Sequence, residues 1–153
     1  YMFSQSGIPM LYSGDEIGQV NDYTYKDDPE KAPDSRYIHR GKFNWDLVER
    51  IKEKDSVQGR IFDALLKLEG IRRQEAVFSA DAEVYTKDYS DTSILWIVRK
   101  AEGEELHAVF NFSDEDKTVW MPEVTEYTDL MTGKTETVEK TVLPSWDFLW
   151  MKK

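Results

Sequence analysis

A composite fold, one β/α unit with a long loop followed by an antiparallel β-sandwich, is what this sequence predicts. Three observations carry that reading. A short, continuously apolar run, Ile8 to Tyr12, spills into a polar stretch of roughly forty residues, far beyond ordinary loop length. One segment then shows helical spacing, with Val57, Ile61, Leu65 and Leu68 recurring every three to four residues. After Gln74 the spacing falls to two, and short β-branched and aromatic segments alternate with turn residues.

Taken in order, Ile8–Tyr12 reads as a strand buried on both faces and ended by Ser13-Gly14, with Pro9 confining it to a strand start or an edge. From Asp15 to Lys54 the chain is polar and irregular, punctuated by Pro29, Pro33 and Gly41; "WDLVERIKEKD" (45–55) holds a short helix. Ser56 is placed as the N-cap of an amphipathic helix that runs to Gln74 and ends in Arg72-Arg73, cations suited to a helix C-terminus. Seven short segments follow: "AEVYTKDY", "TSILWIVRKAE", "ELHAVFNFS", "KTVWMP", "EYTDLMTGK", "ETVEKTVL" and "WDFLWMKK". Ile94–Val98 is apolar on both faces, as expected of a central strand, whereas Leu106, Ala108, Phe110 and Phe112 alternate with His107, Val109, Asn111 and Ser113. Trp96, Trp120, Trp146 and Trp150 are read as packing residues.

Residues 1–77 cannot form a domain alone, because a lone strand leaves its ladder groups unpaired and a lone amphipathic helix leaves its apolar face wet. They read as the final strand, loop and helix of a (β/α)8 barrel, whose loops at the strands' C-terminal ends build active sites. Residues 78–153 read as the sandwich. The chain starts at Tyr1, without the charged start and apolar run of a signal peptide, and is expected to be an excised fragment.

Composition narrows the function classes. Of 153 residues 40% are hydrophobic, enough for a core, and 30 acidic against 20 basic side chains give a net charge of -10, which repels a nucleic-acid backbone. There is no cysteine, hence no disulfide, thiolate metal site or cysteine nucleophile. The two histidines, His39 and His107, are far apart in sequence, so no metal site is expected, and no cofactor is called for. No apolar run reaches the length of a membrane span, and no compartment is indicated.

The motifs then become specific. "GIPMLYSGDEIG" resembles the last barrel strand of the α-amylase superfamily of glycoside hydrolases and transglucosidases, a Gly-x-Pro-x-x-Tyr-x-Gly-x-Glu pattern met by Gly7, Pro9, Tyr12, Gly14 and Glu16. The stretch "NDYTYKDDPEKAPDSRYIHRG" is similar to the long loop of the amylosucrase branch, on Asn21, Asp22, Asp34, Ser35, Arg36, Tyr37, His39 and Arg40, although Tyr37 stands where tryptophan is usual and Gly41 where proline is usual. "FNFSDEDKTV", "DLMTGK" and the tryptophan-rich end are similar to the branch's C-terminal β-sandwich. The resemblance covers only the C-terminal part of the family.

Retaining glycoside chemistry needs two carboxyl groups flanking one bond, about 5 Å apart. Asp15 and Glu16 are adjacent, and neighbours at a strand end point to opposite faces, so both are read as structural groups at the rim, Glu16 accepting hydrogen bonds from backbone or arginine. The resemblance agrees: the family's catalytic carboxylates lie on earlier strands, so no residue here is expected to be catalytic and the isolated chain should be inactive. Substrate contact falls instead to Asp34, Arg36, Tyr37, His39 and Arg40, planar multi-donor groups among aromatics, the combination that holds a polyol. The resemblance implies that Arg36 lies at the floor of a glucose pocket, paired with an aspartate from an earlier loop. The acid-rich "DDPEKAPD" lacks the spacing and terminal glutamate of a calcium loop.

The leading expectation is the C-terminal portion of a sucrose- or α-glucan-acting transglucosidase, with carbohydrate and the N-terminal barrel part of the same protein as partners, and with self-association of the chain through its uncovered apolar groups. A non-catalytic carbohydrate-binding or interaction module, and a purely structural cap on a barrel, stay open beside it.

Overall fold

The computed structural model describes all residues, 1–153. The chain forms two compact units, residues 10–66 and residues 1–9 with 67–153.

The first contains a loop of short 3-10 turns, helix α1 (Trp45–Arg50) and the start of helix α2 (Val57–Gln74). Asn44 caps α1 by accepting from the Asp46 amide. Ser56 caps α2 as expected: its hydroxyl accepts from the Gly59 amide at 2.9 Å and donates to the Arg50 carbonyl at 2.7 Å, tying the two helices together. Gly59 is required by this closeness, because a Cβ there would lie 2.3 Å from the Glu53 carbonyl oxygen. Val57 and Leu66 are exposed, and Ile61, Leu65 and Leu68 are only half-buried, so the apolar face of α2 is incompletely covered.

The expected strand at Ile8–Tyr12 does not form. A single strand has no neighbour within this chain to complete its ladder, Pro9 offers no N–H, and the Tyr12 amide turns to the Asp15 carboxylate. Ile8 and Met10 are left 89% and 80% exposed.

The second unit is a six-stranded antiparallel sheet in the order β1-β2-β3-β6-β4-β5, from β1 (Glu83–Thr86), β2 (Ile94–Ala101), β3 (Glu104–Asn111), β4 (Lys117–Asp129), β5 (Lys134–Leu143) and β6 (Phe148–Lys152). Seven segments become six strands because "KTVWMP" and "EYTD" form one long β4, whose register with β5 shifts between Trp120 and Thr125. Pro122, which cannot donate to a ladder, sits inside that irregularity. The β4–β5 hairpin folds over the face of β2 and β3, enclosing Ile94, Trp96, Val98, Val109, Val119, Met121, Tyr127, Val138, Leu143 and Met151. The Asp-Leu-x-Thr-Gly motif is the turn of this hairpin: Asp129 accepts from the Met131 amide and the Thr132 hydroxyl, and Gly133 takes a left-handed φ of 74°.

Strand β3 is buried on both sides rather than alternating, since Leu106 through Asn111 are all buried. Val109 faces the hairpin; Phe110 meets the ring of Tyr1 at 5.8 Å, so the N-terminal residues cover the other face. Two arginines hold this cover. Arg99, fully buried on β2, donates to the carbonyls of Val77 at 2.6 Å and of Ser4 and Ser79 at 3.2 Å each. Arg72 donates to the carbonyls of Phe3, Gln5 and Gly7. Both guanidinium groups lie 5.5 Å from the Phe78 ring, and Trp150 adds a bond from its indole N–H to the Ser4 hydroxyl. Neither arginine has a carboxylate partner among the ion pairs, and burial lowers both pKa values from the usual arginine range.

His107 is also buried. Its Nδ1 accepts from the Trp96 indole N–H at 3.1 Å, and its Nε2 lies 2.9 Å from a Glu105 carboxylate oxygen without hydrogen-bond alignment. Burial outweighs the attraction of Glu105 and pushes its pKa down to about 4.

Candidate functional site: the loop of residues 14–44

The loop is ordered by its own acids. Asp22 accepts from the Thr24 amide, Asp28 from Glu30, Asp34 from Arg36 and Asn44 from Asp46, each through a side-chain oxygen two residues back. This is the Asx turn, which replaces a backbone turn by a short polar side chain. Longer ties close the loop. The Asp22 amide donates to the Ile38 carbonyl at 2.8 Å; Gln19 donates to the Lys42 carbonyl and accepts from the Asn44 amide. Gly41 lies where the two limbs touch, and a Cβ there would meet Asp22 Cβ at 2.8 Å. Glycine in place of the usual proline is what this close approach requires.

Asp15 and Glu16 occupy a 3-10 turn between Gly14 and Gly18, both left-handed. Asp15 accepts from the Tyr12 amide at 3.1 Å and Glu16 from the Gly14 amide at 2.9 Å. Both carboxylates thus brace the turn.

Arg36 and Asp34 form a two-pronged pair: Nε donates to Oδ1 at 2.8 Å and Nη2 to Oδ2 at 2.8 Å. The same aspartate caps the 3-10 turn Ser35–His39. Its bonds to Arg36, from side chain and then backbone, lower its pKa to about 2, and Asp34 in turn raises that of Arg36. The Arg36 side chain is 74% exposed, and three of its five N–H donors, two on Nη1 and one on Nη2, make no hydrogen bond within the chain. His39 donates from Nδ1 to Asn21 Oδ1 at 3.1 Å, and Arg40 lies 5.4 Å above the ring of Tyr37.

These residues do not share one hollow. Tyr37 and Arg40 line a concavity of about 600 Å³ together with Asp22, Tyr25, Lys31 and Asn44. His39 and Asp15 line a much smaller one of about 50 Å³, and Asp34 with Arg36 stands outside both. Tyr25 belongs to the aromatics expected around the sugar-contact residues; Lys31, Gln19 and Asn44 were not singled out from the sequence. Repeated Asp/Asn at turn-forming spacing was the available signal for Asn44. Among the four tryptophans read as packing residues, Trp96 and Trp150 are buried, but Trp120 and Trp146 are exposed.

Compared with known proteins, residues 96–147 match the family described as the β-galactosidase C-terminal domain. Alpha-amylase MalA of Haloarcula japonica is 25% identical over 138 residues, 87% of this chain and 17% of that protein. Among solved structures, 99% of the chain superposes on trehalulose synthase MutB of Pseudomonas mesoacidophila MX-45 with a TM-score of 0.76 and 17% identity, covering 36% of that chain. It superposes likewise on the maltogenic amylase of S. marinus (TM-score 0.64, 19% identity, 18% of that chain) and on an Anoxybacillus α-amylase (0.71, 18%, 30%). The chain therefore spans between about a sixth and a third of the length of these relatives. In sequence and fold it is similar to the C-terminal portion of α-amylase-superfamily enzymes. No helix is long and apolar enough to cross a membrane.

Proposed function

We propose that this chain is the closing part of an α-glucoside-acting enzyme of the amylosucrase type: residues 1–77 complete a (β/α)8 barrel and bring a substrate-binding loop, and the β-domain stabilises it. The observation that carries the reading is the Asp34–Arg36 fork, presented on a loop pinned by its own Asx turns, with three guanidinium donors uncommitted. Such a fork can keep its carboxylate while bonding two sugar hydroxyls, which lysine's single ammonium cannot reproduce. Tyr37 and Arg40, on the hollow of about 600 Å³, supply an aromatic face and further donors beside it. The exposed Ile8 and Met10, with no ladder partner, support the same reading: they are the groups a neighbouring barrel strand would cover. Carbohydrate and the N-terminal barrel part are the partners of this assembly. The exposed groups also favour self-association when that part is absent.

The test is made in the intact parent enzyme. Arg36→Ala and Arg36→Lys should each lower kcat/KM for sucrose or maltooligosaccharide by at least about tenfold, with circular dichroism unchanged. A solvated loop arginine would change it by less than about twofold. Near-wild-type kinetics in both variants would remove Arg36 from the site.

A further inference from the structure

Asp34 has no acceptor left for a ligand. Its Oδ1 accepts from the Arg36 amide at 3.0 Å and from Arg36 Nε at 2.8 Å, while its Oδ2 accepts from Nη2 at 2.8 Å and shares the Nε–H at 3.1 Å. A carboxylate offers about four lone-pair sites, and Arg36 alone fills them. Asp34 is also the more covered member of the pair, its side chain 28% exposed against 74% for Arg36. Arg36 holds the carboxyl well below its usual range, at about 2, so it stays ionised at ordinary assay pH.

The backbone of Asp34 is fixed on both sides. Its amide donates to the Lys31 carbonyl at 2.9 Å, and its carbonyl accepts from the Tyr37 amide at 3.1 Å. Lys31 is tied in turn to Asp28, whose other carboxylate oxygen accepts from the Glu30 amide. Asp34 is thus an anchored point beside an exposed one, since Ser35 and Arg36 both face solvent.

The pair also decides which edge of the guanidinium is offered outward. Asp34 takes the side that bears Nε and Nη2, so the end formed by Nη1 and Nη2 is the free one. The guanidinium is planar, and its uncommitted N–H groups lie in that plane. Without Asp34, an exposed arginine would spread over many rotamers and present that edge only part of the time. Two neighbouring donors in one plane suit two neighbouring oxygen acceptors, which a vicinal diol of a pyranose provides. We propose that Asp34 is a positioning residue: it does not touch the sugar but holds Arg36 so that the Nη1–Nη2 edge meets a vicinal pair of hydroxyls. This rests on the function proposed above, and it divides between two residues a contact role that the sequence gives to both.

A double-mutant cycle in the intact parent enzyme separates positioning from contact. Asp34→Asn and Asp34→Ser both keep an oxygen that can accept from the Arg36 amide, so the turn Ser35–His39 retains its cap, but neither grips the guanidinium with two oxygens. Each should lower kcat/KM for sucrose or maltooligosaccharide at least about fivefold beside an intact Arg36, and by less than about twofold in the Arg36→Ala background. Losses that multiply in the double variant would place Asp34 on the substrate itself or make it a folding element only. Near-wild-type kinetics in both Asp34 variants, with Arg36→Ala impaired, would show that another carboxylate holds Arg36. Either result overturns the inference and leaves the loop reading standing, whereas near-wild-type kinetics in Arg36→Ala overturns both. A second readout needs no activity. In the 153-residue chain the Arg36 Nε–H should give an NMR signal protected from exchange with water, and Asp34→Ser should abolish it. A signal that survives unchanged in that variant would equally refute the grip.

Discussion

Replacing Arg99 tests how the β-domain is sealed. The side chain is fully buried on β2 and serves three main-chain carbonyls, Val77 at 2.6 Å and Ser4 and Ser79 at 3.2 Å. Arg99→Met preserves much of the aliphatic volume but leaves those acceptors without their donor. Each buried, unsatisfied polar group costs about 1–3 kcal/mol, and a guanidinium that is itself expensive to desolvate offsets part of the loss when it is removed. The contact with Phe78 goes as well, worth about 0.5–2 kcal/mol. Against this, Arg72, whose positive charge bears on the same region and lowers the Arg99 pKa, is relieved of a like neighbour. The balance is a destabilisation of about 3–5 kcal/mol for methionine, and somewhat less for lysine, which can still reach one carbonyl. Urea unfolding followed by tryptophan fluorescence reads it directly, since Trp96 and Trp150 are buried in this unit. A midpoint shift equivalent to less than about 1 kcal/mol in Arg99→Met would show that the carbonyls find other donors and that the clasp adds little.

Acid should weaken the same unit before its carboxylates titrate. His107 is held neutral by burial with a pKa of about 4 against an ordinary 6.5, so the unfolded chain takes up a proton that the folded one refuses. The stabilisation is complete above about pH 6.5 and is lost as pH falls through 4, on the order of 3 kcal/mol in all. His107→Gln should flatten the profile in that window, and a His107 NMR titration midpoint near 6.5 in the folded chain would contradict it. The chain alone should also self-associate through Ile8, Met10 and the half-covered face of α2; light scattering that gives a strict monomer at high protein concentration would count against this.

Local chemistry made part of this molecule legible in its sequence. Ser56 announced α2, and the period-two pattern after Gln74 announced the antiparallel domain, because capping and alternation are set by near neighbours. Ile8–Tyr12 failed for the opposite reason: its pattern describes a strand, but a ladder needs partners that this chain does not contain. Strand β4 reads as two segments in the sequence because its period is broken around Pro122, where the structure keeps one strand and shifts its register with β5. In the loop, the Asp34-x-Arg36 spacing was noticed as a motif, yet its physical content, an Asx turn repeated at Asp22, Asp28 and Asn44, lies in hydrogen bonds that residue types alone do not display. Trp146 was misjudged because indole is usually buried, and nothing in composition signals a positive φ.

The arginine clasp has a consequence for how freely the first residues can vary. Arg72 and Arg99 touch residues 3, 4, 5 and 7 only through carbonyl oxygens, which every amino acid carries. Gln5 and Ser6 can therefore change identity without loosening the grip, provided the backbone keeps its path. Gly7 is different: its φ of 84° is what turns its carbonyl toward Arg72, and although open space surrounds it, any side chain would resist that dihedral. The β-domain thus reads Tyr1, Phe3 and Ser4 by their side chains but residues 5–7 by the course of their backbone, leaving Gln5 and Ser6, just ahead of the loop, free to diversify while that course is kept.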